Sequence, residues 1–245
     1  LFSKSPVAFT NDLKVNNISY NGTVLGNAAI KAHWDNERLA AHLDAIVSQD
    51  NGNKSYIYGD IFPTKEALDI TFEANEIKVG FMKPYMAAFA SDVDGFASGK
   101  ARLFGTFKYI DLEGDIYAKD LKLKIDFTDT YYSATDSIHI RPGIIDIKDV
   151  TLRDVNGNTA LLNGWVKHKF FKEPEFKFDI TNAKNFLCYD VKERVGEIWH
   201  GHINGNGTAN IDGRPGVVNI NVDMATAPQS TFTFIISDME SAYEY

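Results

Sequence analysis

The chain has 245 residues, of which 44% are apolar and 13% aromatic, and this composition supplies a large core and excludes a disordered segment. Its formal net charge of −8 would on average repel a phosphate backbone or an anionic lipid surface, so no nucleic acid partner is expected. The single cysteine, Cys188, excludes an intrachain disulfide and leaves the compartment open.

The sequence contains no run of about 18 apolar residues and does not open on a charged segment followed by an apolar one. It therefore predicts neither a transmembrane helix nor a signal peptide. Because it starts at Leu1 and stops without a feature typical of a terminus, we expect it to be a piece of a longer protein.

Strict alternation of apolar and polar residues is the dominant pattern along the chain. "LDITFEA" (68–74) has the period-two signature of a half-buried strand, and the same alternation occurs at 121–127, 176–181 and 218–224. "LAAHLDAIV" (39–47) has helix-favouring residues but also alternates, so it too predicts a strand. The pattern indicates a long antiparallel meander.

Two further signals complete the predicted elements. Tight hairpin turns are expected at the dipeptides Asn51-Gly52, Glu113-Gly114, Asn156-Gly157 and Asn204-Gly205. Short helices are expected where the alternation breaks, in "VGFMKPYMAAFAS" (79–91), with apolar residues at helix-like spacing around Pro84, and in "NAKNFLCYDVKERVGEIW" (182–199).

The glycines recur because the chain repeats. "NGNKSYIYGDI" at Asn51 matches "NGNTALLNGWV" at Asn156, 105 residues later, and "GKARLFG" at Gly99 matches "GTANIDG" at Gly207. A fainter copy, "GNAAIKA", begins at Gly26. We expect repeat units of a longer β region at about 51–150 and 156–245, with a partial unit at 17–50.

Glycine inside a strand implies a bulge, a sharp curl or a close approach of backbones. Hairpin glycines of an ordinary β-sandwich are the alternative, but a sandwich does not normally repeat a unit of this length within one closed core. The sequence therefore predicts an all-β fold, an elongated curled antiparallel sheet (a β-taco) with a hydrophobic concave groove and one or two short helices.

The order of these elements resembles the TamB-like proteins, which are related to the AsmA-like group. The resemblance lies in "GFASGKARLFGTFKYIDLEGDIYAKDLKLKI", then "IHIRPGIIDIKDVTLRDVNGNTALLNGWVKH", then "FKFDITNAKNF", and it covers nearly the whole chain beyond about Asn17. "HKFFKEPEF" and the tyrosine-rich strands look like a version from the Bacteroidota.

The resemblance implies a periplasmic β-taco anchored by a single inner-membrane helix outside this sequence. It also implies a role in outer-membrane biogenesis, through phospholipid transport between the membranes or through outer-membrane protein assembly. The implied partners are phospholipid acyl chains and, through other parts of the full-length protein, a BamA-like or TamA-like outer-membrane barrel.

Residues that carry other chemistry are few. His200 and His202 share one face of a strand but lack a third ligand of suitable spacing, and Asp126, Asp129 and Asp136 lack an EF-hand loop. No nucleophile motif or phosphate loop is present, so we expect no enzyme activity, metal or cofactor.

An apolar sheet face must pack on another layer or curl around something apolar. The leading hypothesis is a lipid groove, and the alternative is a structural or adhesive β-repeat scaffold in which the same residues fill a core. A carbohydrate-binding sandwich is a third hypothesis, disfavoured because Trp34, Trp165 and Trp199 are far apart. The residues predicted to line the groove are Leu68, Ile70, Phe72, Leu121, Leu123, Ile125, Phe127, Phe176, Phe178, Ile180, Val218, Ile220 and Val222.

Overall fold

The structure, a computed structural model, describes residues 9–87, 90–194 and 198–235. These residues form one antiparallel sheet in which strands β1 to β13 follow one another in chain order, while β14 pairs with the far end of β12. The predicted curled all-β sheet is confirmed. The strands are β1 (Thr10–Tyr20), β2 (Thr23–Asp35), β3 (Ala40–Ser48), β4 (Lys54–Phe62), β5 (Ala67–Lys78), β6 (Ala90–Thr106), β7 (Tyr109–Ile125), β8 (Thr130–Arg141), β9 (Ile144–Asp154), β10 (Thr159–Lys169), β11 (Lys172–Val191), β12 (Trp199–Arg214), β13 (Val217–Thr226) and β14 (Thr231–Phe234).

Helical structure in the described residues is limited to 3-10 turns at Pro63–Lys65 and Gly80–Met82 and to one α-helix, α1 (Lys83–Met86). The helix predicted within 79–91 is therefore confirmed up to α1, and its residues 88 and 89 lie outside the described part of the chain. Pro84 is tolerated because the first turn of a helix leaves its N–H groups unpaired in any case.

The second predicted helical segment is wrong, because residues 182–191 continue strand β11. Ile180, Ala183 and Phe186 are three residues apart and so imitate helix spacing. Two bulges lie between them, and each bulge inserts an extra residue, so that all three pair with the neighbouring strand on one face. The remainder of that segment has no helix at 192–194, and its residues 195–197 lie outside the described ranges.

Two of the four predicted turns are confirmed and two are wrong. Gly52 and Gly157 occupy matching hairpin turns, whereas Glu113-Gly114 lies inside β7 and Asn204-Gly205 inside β12. A Cβ atom on Gly114 would lie 2.3 Å from the Lys100 carbonyl oxygen of β6, so that glycine permits close strand approach and does not form a turn.

One face of the sheet carries an apolar ladder that crosses all thirteen consecutive strands. Residues directly opposite each other in antiparallel strands face the same side, so the register itself defines this face. We call it the inner face. The ladder runs Leu13, Ile30, Ala45, Ile57, Phe72, Ala101, Gly114, Ile140, Ile145, Val166, Phe176, Gly213 and Val218.

The sheet curls towards this inner face. Tyr132 of β8, which pairs with Leu123, stacks on Phe186 of β11 with ring centroids 5.1 Å apart, and its hydroxyl donates to the Leu187 carbonyl at 2.9 Å. Strands three positions apart in a flat sheet would not meet. In the first half of the chain, the Tyr20 and Tyr85 hydroxyls lie 2.5 Å apart, so the β1–β2 turn contacts α1.

Candidate functional site

The predicted groove residues of β5 lie on the inner face. Leu68, Ile70 and Phe72 are opposite Ile61, Gly59 and Ile57 of β4 and opposite Gly105, Leu103 and Ala101 of β6. Ile70 is 7% exposed, while Leu68 and Phe72 are half-buried. All described strands belong to the same sheet, so no second sheet of described residues covers these side chains.

The predicted residues of β7 lie on the same face. A bulge at Asp120 separates Ala118 from Leu121 and keeps both side chains on the inner side. Leu123 is opposite Val93 and Tyr132, and Ile125 is opposite Ala90 and Thr130. Leu121, Leu123 and Ile125 are half-buried.

Phe127 does not belong to the strand from which its inner position was inferred. Strand β7 ends at Ile125, and Phe127 lies in the turn before β8 with 73% of its surface exposed. The alternation of 121–127 runs past the end of the strand, because sequence periodicity does not mark where backbone pairing stops. Phe127 instead borders a pocket at the strand ends.

The predicted residues of the last strands continue the inner face. In β11, Phe176 and Phe178 stack with ring centroids 5.4 Å apart, and Phe178 and Ile180 are opposite Ile211 and Ala209 of β12. These β12 residues are in turn opposite residues of β13. The β13 members are exposed because β13 pairs only with β12 within the described residues, and they are Val218, Ile220 and Val222.

Part of the inner face is a filled core. Ala160, Ala183 and Phe186 form a buried cluster on this face, and Phe186 is 2% exposed. Burial raises the pKa of Tyr132, which packs on this cluster, to about 12, and burial likewise raises the pKa of the Cys188 thiol. The sequence did not distinguish this closed region from the half-buried strands beside it.

The outer face is polar and is held by cross-strand ion pairs. Arg102 donates to Asp69 at 2.7 Å and to Glu113 at 2.9 Å, and the hydrogen bond to Asp69 lowers the pKa of that carboxyl group. Lys100 pairs with Glu73, and Lys119 pairs with Glu76. Such exposed pairs add little stability, but they give the two faces opposite chemistry.

The histidines considered as metal ligands have other contacts. The Nδ1 atom of His202 lies 2.9 Å from Asp190 Oδ1, and its Nε2 atom lies 3.1 Å from Asn204 Nδ2. His200 pairs across the strands with Thr233 of β14. Within residues 9–87, 90–194 and 198–235, no group of three or more His, Cys, Asp or Glu side chains is arranged to hold a metal.

The inner face of the described strands is an extended apolar surface that can bury an elongated apolar ligand. Sequence reasoning missed the pocket at the strand ends, which is bordered by Asp126, Phe127, Asp129, Tyr189, Val191, Arg194, Trp199 and Phe232. These residues come from three separated stretches, and only the curl brings them together.

Comparison with known proteins supplies no relative. No family model, curated protein or solved structure matches the chain. None of the helices in the described ranges is both long and apolar enough to cross a membrane.

Proposed function

We propose that this chain is a section of a lipid conduit in which phospholipid acyl chains lie against the apolar inner face. The observation that carries the proposal is the apolar ladder, which crosses thirteen strands without one polar side chain on a curled sheet that no second sheet covers. An acyl chain of about 16 carbons gains roughly 13 kcal/mol on leaving water, so no specific polar contact is needed to hold it.

The resemblance of the sequence to TamB-like proteins supports a periplasmic place for this conduit. On this proposal, the chain is part of a β-taco between the inner and outer membranes and serves phospholipid transport or the assembly of outer-membrane proteins. An inner-membrane anchor and an outer-membrane barrel would act through parts of the protein outside this sequence.

A structural β-repeat scaffold is the second candidate, and the filled core around Phe186 and Ala183 favours it. If the whole inner face were such a core, its residues would stabilise the fold without holding lipid. The half-buried state of Leu68, Phe72 and Leu123 supports the conduit in the remaining strands.

A pair of neighbouring substitutions separates these functions. Ile57→Asp places a charge on the apolar ladder, whereas Tyr56→Asp places the same charge on the exposed outer face of the same strand. An unpaired ion in apolar surroundings costs several kcal/mol, so lipid extracted from the purified protein should fall strongly for Ile57→Asp only.

The comparison requires equal amounts of folded wild type, Ile57→Asp and Tyr56→Asp. Far-ultraviolet circular dichroism checks that all three are folded. Stoichiometric phospholipid in the wild type and in Tyr56→Asp supports the conduit. Absence of lipid from the wild type, or equal lipid in both variants, would overturn it and leave the scaffold.

A further inference from the structure

The pocket at the strand ends is not used by the proposed conduit. It has a volume of about 400 Å³ and lies between the β7–β8 turn and the ends of β11, β12 and β14. Two hydrogen bonds join the β7–β8 turn to the end of β11. The Asp190 N–H donates to the Thr128 carbonyl at 2.9 Å, and Arg194 Nη2 donates to Asp129 Oδ2 at 2.7 Å. The pocket is therefore a product of the curl.

Aromatic side chains supply four of the eight residues that border the pocket. Tyr189 and Phe232 meet edge to face with centroids 6.2 Å apart, and Trp199 and Phe127 complete the set. Phe127, Trp199 and Phe232 are all exposed. Large aromatic side chains that stay exposed around one pocket are typical of a binding site.

One of the two carboxylates in the pocket has no ion-pair partner among the described residues. Asp129 is paired twice, with Lys124 and with Arg194, each at 2.7 Å. The neighbouring Asp126 accepts a backbone hydrogen bond from Ser91 at 3.2 Å and forms no ion pair with any residue in the described ranges. Lys124 and Arg194 together match the formal charge of Asp126 and Asp129, so the pocket combines four aromatic rings with one carboxylate, Asp126, that forms no ion pair of its own in the part of the chain that the structure describes.

We infer that this pocket binds an organic ammonium group. Cations are attracted to the faces of Trp, Tyr and Phe rings, most strongly to Trp, and such rings together with a carboxylate recognise quaternary ammonium. Trp199 supplies the principal ring and Asp126 the charge.

A zwitterionic lipid headgroup is one source of this ammonium, and that assignment rests on the proposed conduit. The inner-face residue Ile125 directly precedes the pocket residues Asp126 and Phe127, and the Arg194 guanidinium has further N–H donors beyond the Asp129 bond for a headgroup phosphate. A free choline-like molecule is the other source. The ammonium chemistry itself does not depend on the conduit.

Calorimetric titration of the purified chain with choline chloride tests the site. We expect saturable millimolar binding that weakens about five-fold or more in Trp199→Ala and in Asp126→Asn. Tyr117→Ala and Asp12→Asn remove an exposed ring and an exposed carboxylate elsewhere and should bind choline as the wild type does. The neutral isostere 3,3-dimethylbutanol should bind more weakly than choline.

Several results would overturn the inference: no choline binding to the folded wild type, equal binding of the neutral isostere, equal loss in the control variants, or binding of a neutral sugar in place of choline. Flotation with phosphatidylcholine vesicles against phosphatidylglycerol vesicles separates the sources. Binding to the first alone, lost in Asp126→Asn, assigns a lipid headgroup. Choline binding without vesicle binding assigns a free ammonium ligand, and the site then stands even if the conduit fails.

Discussion

At the scale of single residues, three matched glycines set how closely the strands approach. Gly26, Gly99 and Gly207 have φ values of +127°, +133° and +149°. A Cβ atom on each would lie 2.2 to 2.3 Å from a carbonyl oxygen of the next strand. Each therefore needs both an unusual backbone conformation and the absence of a side chain.

Gly99→Ala should lower the free energy of unfolding by more than about 3 kcal/mol, because the methyl group would overlap the Asp115 carbonyl and φ would be strained. Gly157→Ala is the matched control. Its φ is +84°, but nothing lies within 4 Å of the added atom, so a loss of about 1 to 2 kcal/mol is expected. Urea unfolding measures both, and equal losses would contradict the role of close strand approach.

Tyr132 makes stability sensitive to alkaline pH. Its folded-state pKa is raised to about 12 from 10.0, so its contribution is complete below pH 10 and is lost as the pH rises towards 12. The free energy of unfolding of the wild type should fall faster between these pH values than that of Tyr132→Phe. Parallel curves for the two proteins would show that Tyr132 ionises normally in the folded state.

At this scale the sequence predicted which residues alternate and which glycines match, but it did not predict the structural role of every glycine. The dipeptides Glu113-Gly114 and Asn204-Gly205 predict turns, yet both glycines lie inside strands. Glycine is needed at these positions because neighbouring strands lie close to them. Gly114 faces the Lys100 carbonyl, and Gly205 faces Met224 and Cys188. Only strand register shows such neighbours.

At the scale of elements, a row of bulges bends the sheet. Five of the bulged residues have φ near +50° and donate the backbone N–H to a side chain of the adjacent strand at 2.8 to 3.0 Å. All five lie in odd-numbered strands, and each bulge bends the strand that carries it. The donor and acceptor pairs are Asn17 with Asn27, Glu76 with Ser98, Asp120 with Thr135, Asp149 with Asn163, and Asn185 with Asn206.

Ser98→Ala should remove the acceptor of one bulge and cost about 1 kcal/mol of unfolding free energy. Ser137→Ala is the control, because Ser98 and Ser137 lie on either side of Tyr117 in neighbouring strands and Ser137 is exposed. Hydrogen exchange at the Glu76 amide should speed up in Ser98→Ala only. Unchanged exchange there would show that the hydroxyl does not hold the bulge.

The bulges also explain why the sequence misled at 182–191. Ala183 and Phe186 have the spacing of a helix because a bulge places an extra residue between the positions that pair with β12. Period-two alternation identifies regular strands such as β5 and β13, but a bulged strand has no fixed period, and its spacing depends on side-chain acceptors in the next strand.

At the scale of the whole molecule, the burial of the inner face varies along the sheet. Around Phe186 the curl is tight enough to exclude solvent, whereas in β5 and β7 buried residues such as Ile70 and Ala118 lie beside half-buried ones such as Phe72 and Leu123. Alternation predicted which residues share the face. It could not predict where the curl closes, because that depends on contacts such as Tyr132 with Leu187, which are 55 residues apart.

The most direct test of the lipid conduit is photolabelling with a phospholipid that carries a diazirine on its acyl chain, followed by peptide mass spectrometry. We predict labels on inner-face residues such as Ile57, Phe72 and Ile140, and none on their outer neighbours Tyr56 and Glu73. Labels shared equally by both faces, or absent from the inner face of folded protein, would contradict the conduit.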